Sequence, residues 1–288
     1  MKYQLDLEQL PRRLAKTSQT YARHAVAQQE ITSRALERLN YIKHQPTKIL
    51  DVSLHPLQSE QRLRQHFPKA HYVAATPCLV ELQQRKRSFF KKPFSVAMPI
   101  GQLPFTESCV DFIFMSLTLL WTNDWPQLLR DCYRVLKPQG MLLFTTLGPD
   151  TLQELRQAFV VIDQAEHVHR CVDMHDIGDV LLKVGFENPV MDVEHVQFRY
   201  KKFSQLVADI KLSGSNNLSL TRQRGLLTPR QWTKITDQYS KLADGQLNAT
   251  FEFVYGHAWV GERKRQQIDP NTHEVTIPLT NLTQSISK

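Results

Sequence analysis

Short apolar runs separated by helical segments recur from residue 48 to residue 146, and no other feature narrows the fold as much. The runs are KILDV (48–52), HYVAA (71–75), FSVAM (94–98), VDFIFMSL (110–117) and MLLFTT (141–146). Between them stand SEQRLRQHF (59–67), CLVELQQRKR (78–87) and WPQLLRDCYRVLK (125–137). The last places Leu128, Leu129, Cys132, Val135 and Leu136 on one face, and Pro138 and Gly140 stop it. Parallel strands need a crossover connection, and helices at this spacing supply one, so the pattern predicts an α/β sheet with helices on both faces.

The flanks extend this reading. Residues 20 to 42 predict a helix on a stripe of Val26, Ile31, Ala35, Leu36 and Leu39, inside an N-terminal helical segment covering residues 1–45. DMHDIGDVLLKVGF (173–186) predicts a helix with Asp173 as N-cap, Asp176 in the first turn and Gly185 just past the end. PVMDVEHVQFRY (189–200) and ATFEFVYGHAWV (249–260) read as strands, and residues 203–213 and 229–243 as helices. The expected organisation is a main domain over 46–260 with a helical cap inserted around 147–245. The polar, aperiodic residues 261–288 predict a mobile tail.

Composition excludes several classes. Among 288 residues, 41% are hydrophobic, which is ample for a core, and no apolar run reaches the length of a membrane span. Asp6 and Glu8 argue against an N-terminal targeting segment. Cys78, Cys109, Cys132 and Cys171 are scattered without a CxxC pair, which argues against structural zinc and disulfides and for a reducing cytoplasm. The net charge of +8 favours acidic partners. The densest basic run, RKRSFFKK from Arg85 to Lys92, reads either as a solvated helix end or as a nucleic-acid surface. No helix-turn-helix, RNA-binding or zinc-finger signature accompanies it.

Several longer segments resemble a known family. They are TYARHAVAQQEI, LPFTESCVDFIFMSLTLLWTND, LLRDCYRVLKPQGMLLFTTLGPDTLQELRQAF, DMHDIGDVLLKVGFENPVMDVE and FEFVYGHAW. Together they span about residues 20–260 and resemble class I S-adenosylmethionine-dependent methyltransferases. Within that class the likeness is to the malonyl-acyl-carrier-protein O-methyltransferases of biotin synthesis and a related mitochondrial complex I assembly factor. The resemblance implies a seven-stranded Rossmann-like sheet, S-adenosylmethionine as cofactor and an acyl carrier protein as partner.

The cofactor positions depart from the family pattern. The first strand should run into a turn of the form LDxGxGxG; Asp51 is present, but Ser53, His55 and Leu57 replace the three glycines. Glycine is used there for its backbone freedom and for close approach to the ligand. His55 and Leu57 are expected to add side chains where cofactor atoms would lie, and Pro56 removes an N–H donor. Thr76 stands where the family places the ribose-binding acid, and one hydroxyl does not replace a bidentate carboxylate. Pro99 falls near the adenine-binding aspartate, and Ser116 takes the place of an asparagine after the fourth strand. These departures predict a degenerate cofactor site.

Other constellations carry two readings each. His167, His169 and His175, with Asp173 and Asp176, would suit a metal, but helix capping is the favoured reading. TRQRGLL resembles the family's RPRGL turn, so Arg222 and Arg224 stand either against a malonyl carboxylate, a phosphopantetheine phosphate or an acidic carrier helix, or in a loop held by surface ion pairs. Tyr21 and His24 match the segment that lies over the cofactor in the family, and Trp121 reads as buried packing. No catalytic residue is assigned. Three functions remain open: a binding or regulatory protein on a methyltransferase fold, an active carboxyl O-methyltransferase on malonyl-carrier protein, and a nucleic-acid-binding protein.

Overall fold

The computed structural model of the chain describes residues 4–84 and 94–262, and the backbone of residues 267–268 and 275–276. Three helices come first: α1 (Leu10–Thr17), α2 (Tyr21–His24) and α3 (Val26–Arg38). Then strands and helices alternate as β1 (Lys48–Asp51), α4 (Leu57–His66), β2 (His71–Thr76), α5 (Leu79–Gln84), β3 (Phe94–Ala97), β4 (Val110–Ser116), α6 (Trp125–Val135) and β5 (Leu136–Leu147). The chain continues through α7 (Gln153–Phe159), α8 (Met174–Val184), β6 (Phe186–Tyr200), α9 (Phe203–Leu212), α10 (Pro229–Gln238) and β7 (Leu247–Val260). A short ribbon of β8 (Gln267–Ile268) and β9 (Val275–Thr276) follows.

The sheet has seven strands in the order β3-β2-β1-β4-β5-β7-β6. Neighbours from β3 to β5 run parallel, and β7 lies antiparallel between β5 and β6. The chain enters at β1, steps outward to β3 and returns to β4 on the other side of β1. That reversal opens a crevice above the ends of β1 and β4, where open α/β sheets place their ligands. Side chains alternate between two cores with the period of a strand. Phe112 and Phe114 of β4 join Met141 and Leu143 of β5 in the core under α3 and α4. Ile113 and Met115 join Leu142 and Phe144 in the core under α6 and α8.

The N-terminal segment is part of this architecture, because Leu10, Leu14, Ile31 and Ala35 are buried in the first core. It departs from a single helix at Ala25, whose ψ of 46° interrupts the backbone, and Val26 is 45% exposed at the restart. Ala27, not Val26, therefore begins the buried stripe. The cap consists of α7, α9, α10 and the loops around them, whereas α8 and β6 complete the central layers. Helix α6 ends at Val135, two residues before the expected end. Leu136 is instead drawn into β5 by pairing with Val110, ahead of a register shift. Helix α10 begins with a capping box of Thr228 and Gln231 and stops at Gln238, earlier than the expected 243. Helix α5 is described to Gln84, so the Arg85–Lys92 run lies outside the described residues. So does most of the expected tail over 261–288. Among the described residues no helix is long and apolar enough to cross a membrane.

Asp173 caps α8 as its sequence suggests, accepting a hydrogen bond from the His175 N–H at 2.8 Å, and Gly185 closes the helix at φ 108°. Asp173→Ala should therefore lower stability by about 1 kcal/mol, read from urea unfolding curves. A loss indistinguishable from zero would remove the cap from the account.

Candidate functional site

A cavity of about 220 Å³ lies under the cap, above the ends of β1 and β4. Its floor includes Ser53, Leu54, His55, Ser116 and Leu117, and Tyr21 and His24 close one side. Most of its wall is apolar, from Leu14 and Ala27 on the N-terminal helices to Leu155, Phe159, Ile210 and Trp232 on the cap. Leu117 and Leu152, both lining it, hold φ of 60° and 55°. A leucine seldom adopts that left-handed conformation.

Asp51 organises the turn from below. It is fully buried and accepts from the Ser53 N–H (2.9 Å), the Tyr72 hydroxyl (2.7 Å) and the Ser59 hydroxyl. Burial pushes its carboxyl above the usual carboxylate range, against the pull of those donors. Asp51 does not line the cavity.

Four of the substituted positions are hydrogen-bonded within the protein. The Ser116 N–H donates to Ser53 Oγ at 3.1 Å, and the Thr76 hydroxyl donates to the Leu54 carbonyl at 2.8 Å. Ser116 Oγ meets Thr32 Oγ1 at 2.6 Å and Thr145 Oγ1 at 3.2 Å. His55 Nδ1 donates to Glu81 Oε1 at 2.8 Å, with both side chains 5% exposed or less. The His55 ring stacks on Tyr21 with centroids 3.5 Å apart. Burial, and then the charge of Glu81, hold the Tyr21 phenol far above its ordinary pKa. His55 Nε2 and Glu81 Oε2 have no hydrogen-bond partner.

Three of the aligned positions stand elsewhere than expected. Leu57 opens α4, is 36% exposed and lies outside the cavity lining, so it does not intrude. Helix geometry turns it outward while His55 and Pro56 occupy the turn. Thr76 is fully buried behind Leu54, and Pro99 is exposed beyond the strand end; neither lines the cavity. Thus Ser53, His55 and Ser116 reach the cavity, with Tyr21 and His24, whereas Asp51, Leu57, Thr76 and Pro99 do not.

Arg222 lies beside the cavity in an adjoining cleft. It donates to the Ser219 carbonyl at 2.7 Å and pairs with Asp6 at 3.2 Å, tying the cap loop to the N-terminus. Arg224 is exposed in the same cleft. The three histidines do not converge. His167 meets Asp163 at 2.7 Å, His169 donates through Nε2 to the Leu120 carbonyl at 2.8 Å, and His175 meets Asp173 at 2.8 Å. A different trio does, with ligand atoms of Asp150, His195 and Glu252 within 4.8 Å of one another. Sequence reasoning missed this trio and Glu81. Their partners are 26 to 102 residues away, and no local pattern marks them. All four cysteines are free.

Comparison with known proteins places this geometry in a family. Residues 50–144 match the model described as a methyltransferase domain. The chain is 37% identical over 264 residues to a malonyl-acyl-carrier-protein O-methyltransferase of Gallionella capsiferriformans, covering 88% of this chain and 91% of that one. It is 38% identical to the protein of that name from Laribacter hongkongensis, covering 88% and 90%. It is 36% identical to a malonyl-acyl-carrier-protein O-methyltransferase 1 from Coxiella burnetii, covering 97% of both. This chain belongs to the malonyl-acyl-carrier-protein O-methyltransferase family. The fold agrees: the YcgJ protein of Bacillus subtilis superposes with a TM-score of 0.57 at 11% identity, covering 80% of this chain and 99% of that one. A methyltransferase from Archaeoglobus fulgidus gives 0.50 at 12% identity, covering 84% and 98%. Within this family fold, the cap and N-terminal helices enclose the crevice of a class I methyltransferase.

Two outcomes are expected. Burial pushes the His169 imidazole from 6.5 down to about 4, aided by the charge of Arg13 and opposed by its bond to the Leu120 carbonyl and by Glu166. The unfolded chain takes up that proton first, so His169 contributes stability that is present above pH 6.5 and lost as pH falls towards 4. His169→Gln should flatten this acid limb in urea midpoints measured between those values. In the second, His55→Leu leaves Glu81 buried and unpaired and should cost about 3 kcal/mol or more, while adding Glu81→Leu should recover much of that loss. Strictly additive losses would mean the pair is not coupled.

Proposed function

We propose that this methyltransferase-family chain acts as a binding protein for an acyl carrier protein, with its S-adenosylmethionine site closed by its own side chains. The observation that carries the reading is the closed network at the substituted positions. Ser53, Thr76 and Ser116 bond the turn and its neighbouring strand, and His55 is buried between Tyr21 and Glu81. The cofactor's amino-acid and ribose groups would need free donors and acceptors in that volume. Unmatched polar groups cost about 1–3 kcal/mol each, and several such losses remove micromolar affinity. The residues present therefore do not fit the cofactor.

The carrier half of the reading rests on charge. The two clefts bordering the cavity mouth are lined by Arg12, Arg13, Lys16, Lys211, Arg222 and Arg224, with Glu166 their one lining carboxylate among the described residues. Burial, and then the neighbouring Arg222, push the Arg13 guanidinium down to about 10, against the pull of Asp6. Such a rim suits the phosphate of a pantetheine arm and the acidic surface that surrounds it. The four free cysteines are in keeping with a reducing, cytoplasmic site of action.

One observation favours a second reading. Glu81 keeps an unsatisfied carboxylate oxygen near the turn. If Tyr21 and His55 swung aside, it would offer a ribose acceptor to an active enzyme with an altered pocket. Calorimetric titration with S-adenosylmethionine separates the two. No saturable heat is expected, and a dissociation constant of about 1–10 μM would overturn the binding-protein reading. In parallel, holo-acyl carrier protein should bind at low ionic strength and weaken with salt. Arg12→Glu, Lys16→Glu and Arg224→Glu together should abolish that binding with the fold intact by circular dichroism. Undiminished binding would move the carrier surface elsewhere.

A further inference from the structure

We infer that the cavity under the cap takes an uncharged aliphatic acyl chain, in preference to an acyl group ending in a carboxylate. This deepens the reading above and rests on it only for the carrier that presents the chain. Apart from the exposed Lys211, the cavity lining offers no free counter-charge for an anion among the described residues. His24 is held by Asp209 at 2.7 Å, His169 by the Leu120 carbonyl, and His167 by Asp163. His169 is neutral at physiological pH, and Asp209 would repel a second carboxylate. The side-chain amide of Gln28 donates to Ser215 Oγ at 2.6 Å. Lys211 is the one lysine lining the cavity, and it is exposed at the mouth; the Arg222 and Arg224 guanidinium groups line the neighbouring cleft.

A terminal carboxylate carried inward would leave water without a partner, a cost that usually prevents burial. A methylene chain meets the opposite conditions. Leu14, Leu120, Leu155, Val168, Ile210 and Trp232 offer it an apolar wall. Leu117 and Leu152 face the same space in left-handed backbone conformations. Strain of that kind concentrates where a surface is shaped for a ligand. The basic mouth and the apolar interior together describe an amphipathic ligand, with an anionic head outside and an aliphatic tail inside.

The test is a ladder of acyl-4′-phosphopantetheines from acetyl to decanoyl, with malonyl-phosphopantetheine and decanoate as separate arms, titrated calorimetrically into the full chain. Affinity should rise about three- to fourfold per methylene until the cavity is filled. Malonyl should bind more weakly than butyryl, its near match in size. A flat ladder, or malonyl binding as tightly as butyryl, would overturn the inference. Val168→Phe should shorten the ladder without changing its slope. The wild-type ladder decides the question even if that variant fails to fold. Arg224→Glu should lower every affinity by a common factor, separating head from tail. Decanoate binding as tightly as decanoyl-phosphopantetheine would support the cavity ligand while naming a free fatty acid as its source. Loading the same acyl groups on carrier protein distinguishes the two readings. Carrier binding that ignores the acyl group would overturn this inference and keep the carrier reading. A ladder on the small molecules with no carrier binding would do the reverse.

Discussion

A buried carboxylate holds the turn on which the crevice depends. Asp51 ends β1 with no solvent exposure and gathers the Ser53 N–H, the Ser59 hydroxyl and the Tyr72 hydroxyl. Those donors come from the turn, from α4 and from β2, so one side chain joins three elements. A carboxylate so deeply buried is tolerable because its oxygens are bonded. The same geometry explains how the turn keeps its course with Ser53, His55 and Leu57 in place of glycines. None of these three is among the residues with positive φ, so the glycine-specific backbone is not required here. Asp51 can therefore persist for architecture alone, whatever becomes of the ligand.

The substitutions around the turn make physical sense as a set. Opening the cofactor volume and leaving it empty would strip the crevice of contacts, and a polar void would need water. Here the Thr76 hydroxyl satisfies the Leu54 carbonyl, Ser53 receives the Ser116 N–H, and Tyr21 stacks on His55. Ser53 and Ser116 support each other directly, while Thr76 and His55 are held by Leu54, Glu81 and Tyr21. The cost stays local, in the unpartnered His55 Nε2 and Glu81 Oε2.

How much of this was legible in the sequence follows from the range of the interactions. The strand-helix alternation, the Asp173 cap and the Gly185 terminator are short-range signals, and they read through to the sheet and to α8. The pairing of Leu136 with Val110 is a tertiary contact that overrides helix periodicity, and the break at Ala25 is marked by no glycine or proline in the sequence. The site was legible in part. The departures at Ser53, His55 and Ser116 are visible as letters, but their mutual bonding is not. Glu81 reads as an ordinary first-turn acid on α5, and only the fold brings it to His55. Leu57 illustrates the opposite error, because side-chain size suggested intrusion where helix phase turns the residue outward.

Charge and apolarity divide the molecule in a way that neither shows alone. A net charge of +8 says only that acidic partners are favoured. The fold concentrates part of that charge at the mouth, where α1 meets the cap loop, and Arg222 is largely spent on Asp6 and the Ser219 carbonyl. Arg12, Lys16 and Arg224 remain exposed to meet a partner. Behind them the wall turns apolar within the reach of a flexible arm. A ligand of one character throughout would satisfy half of this surface, whereas a phosphate on an arm that ends in an aliphatic chain satisfies both. The crevice thus has a basic border and a largely apolar interior, with Tyr21 and His55 stacked against each other in its lining.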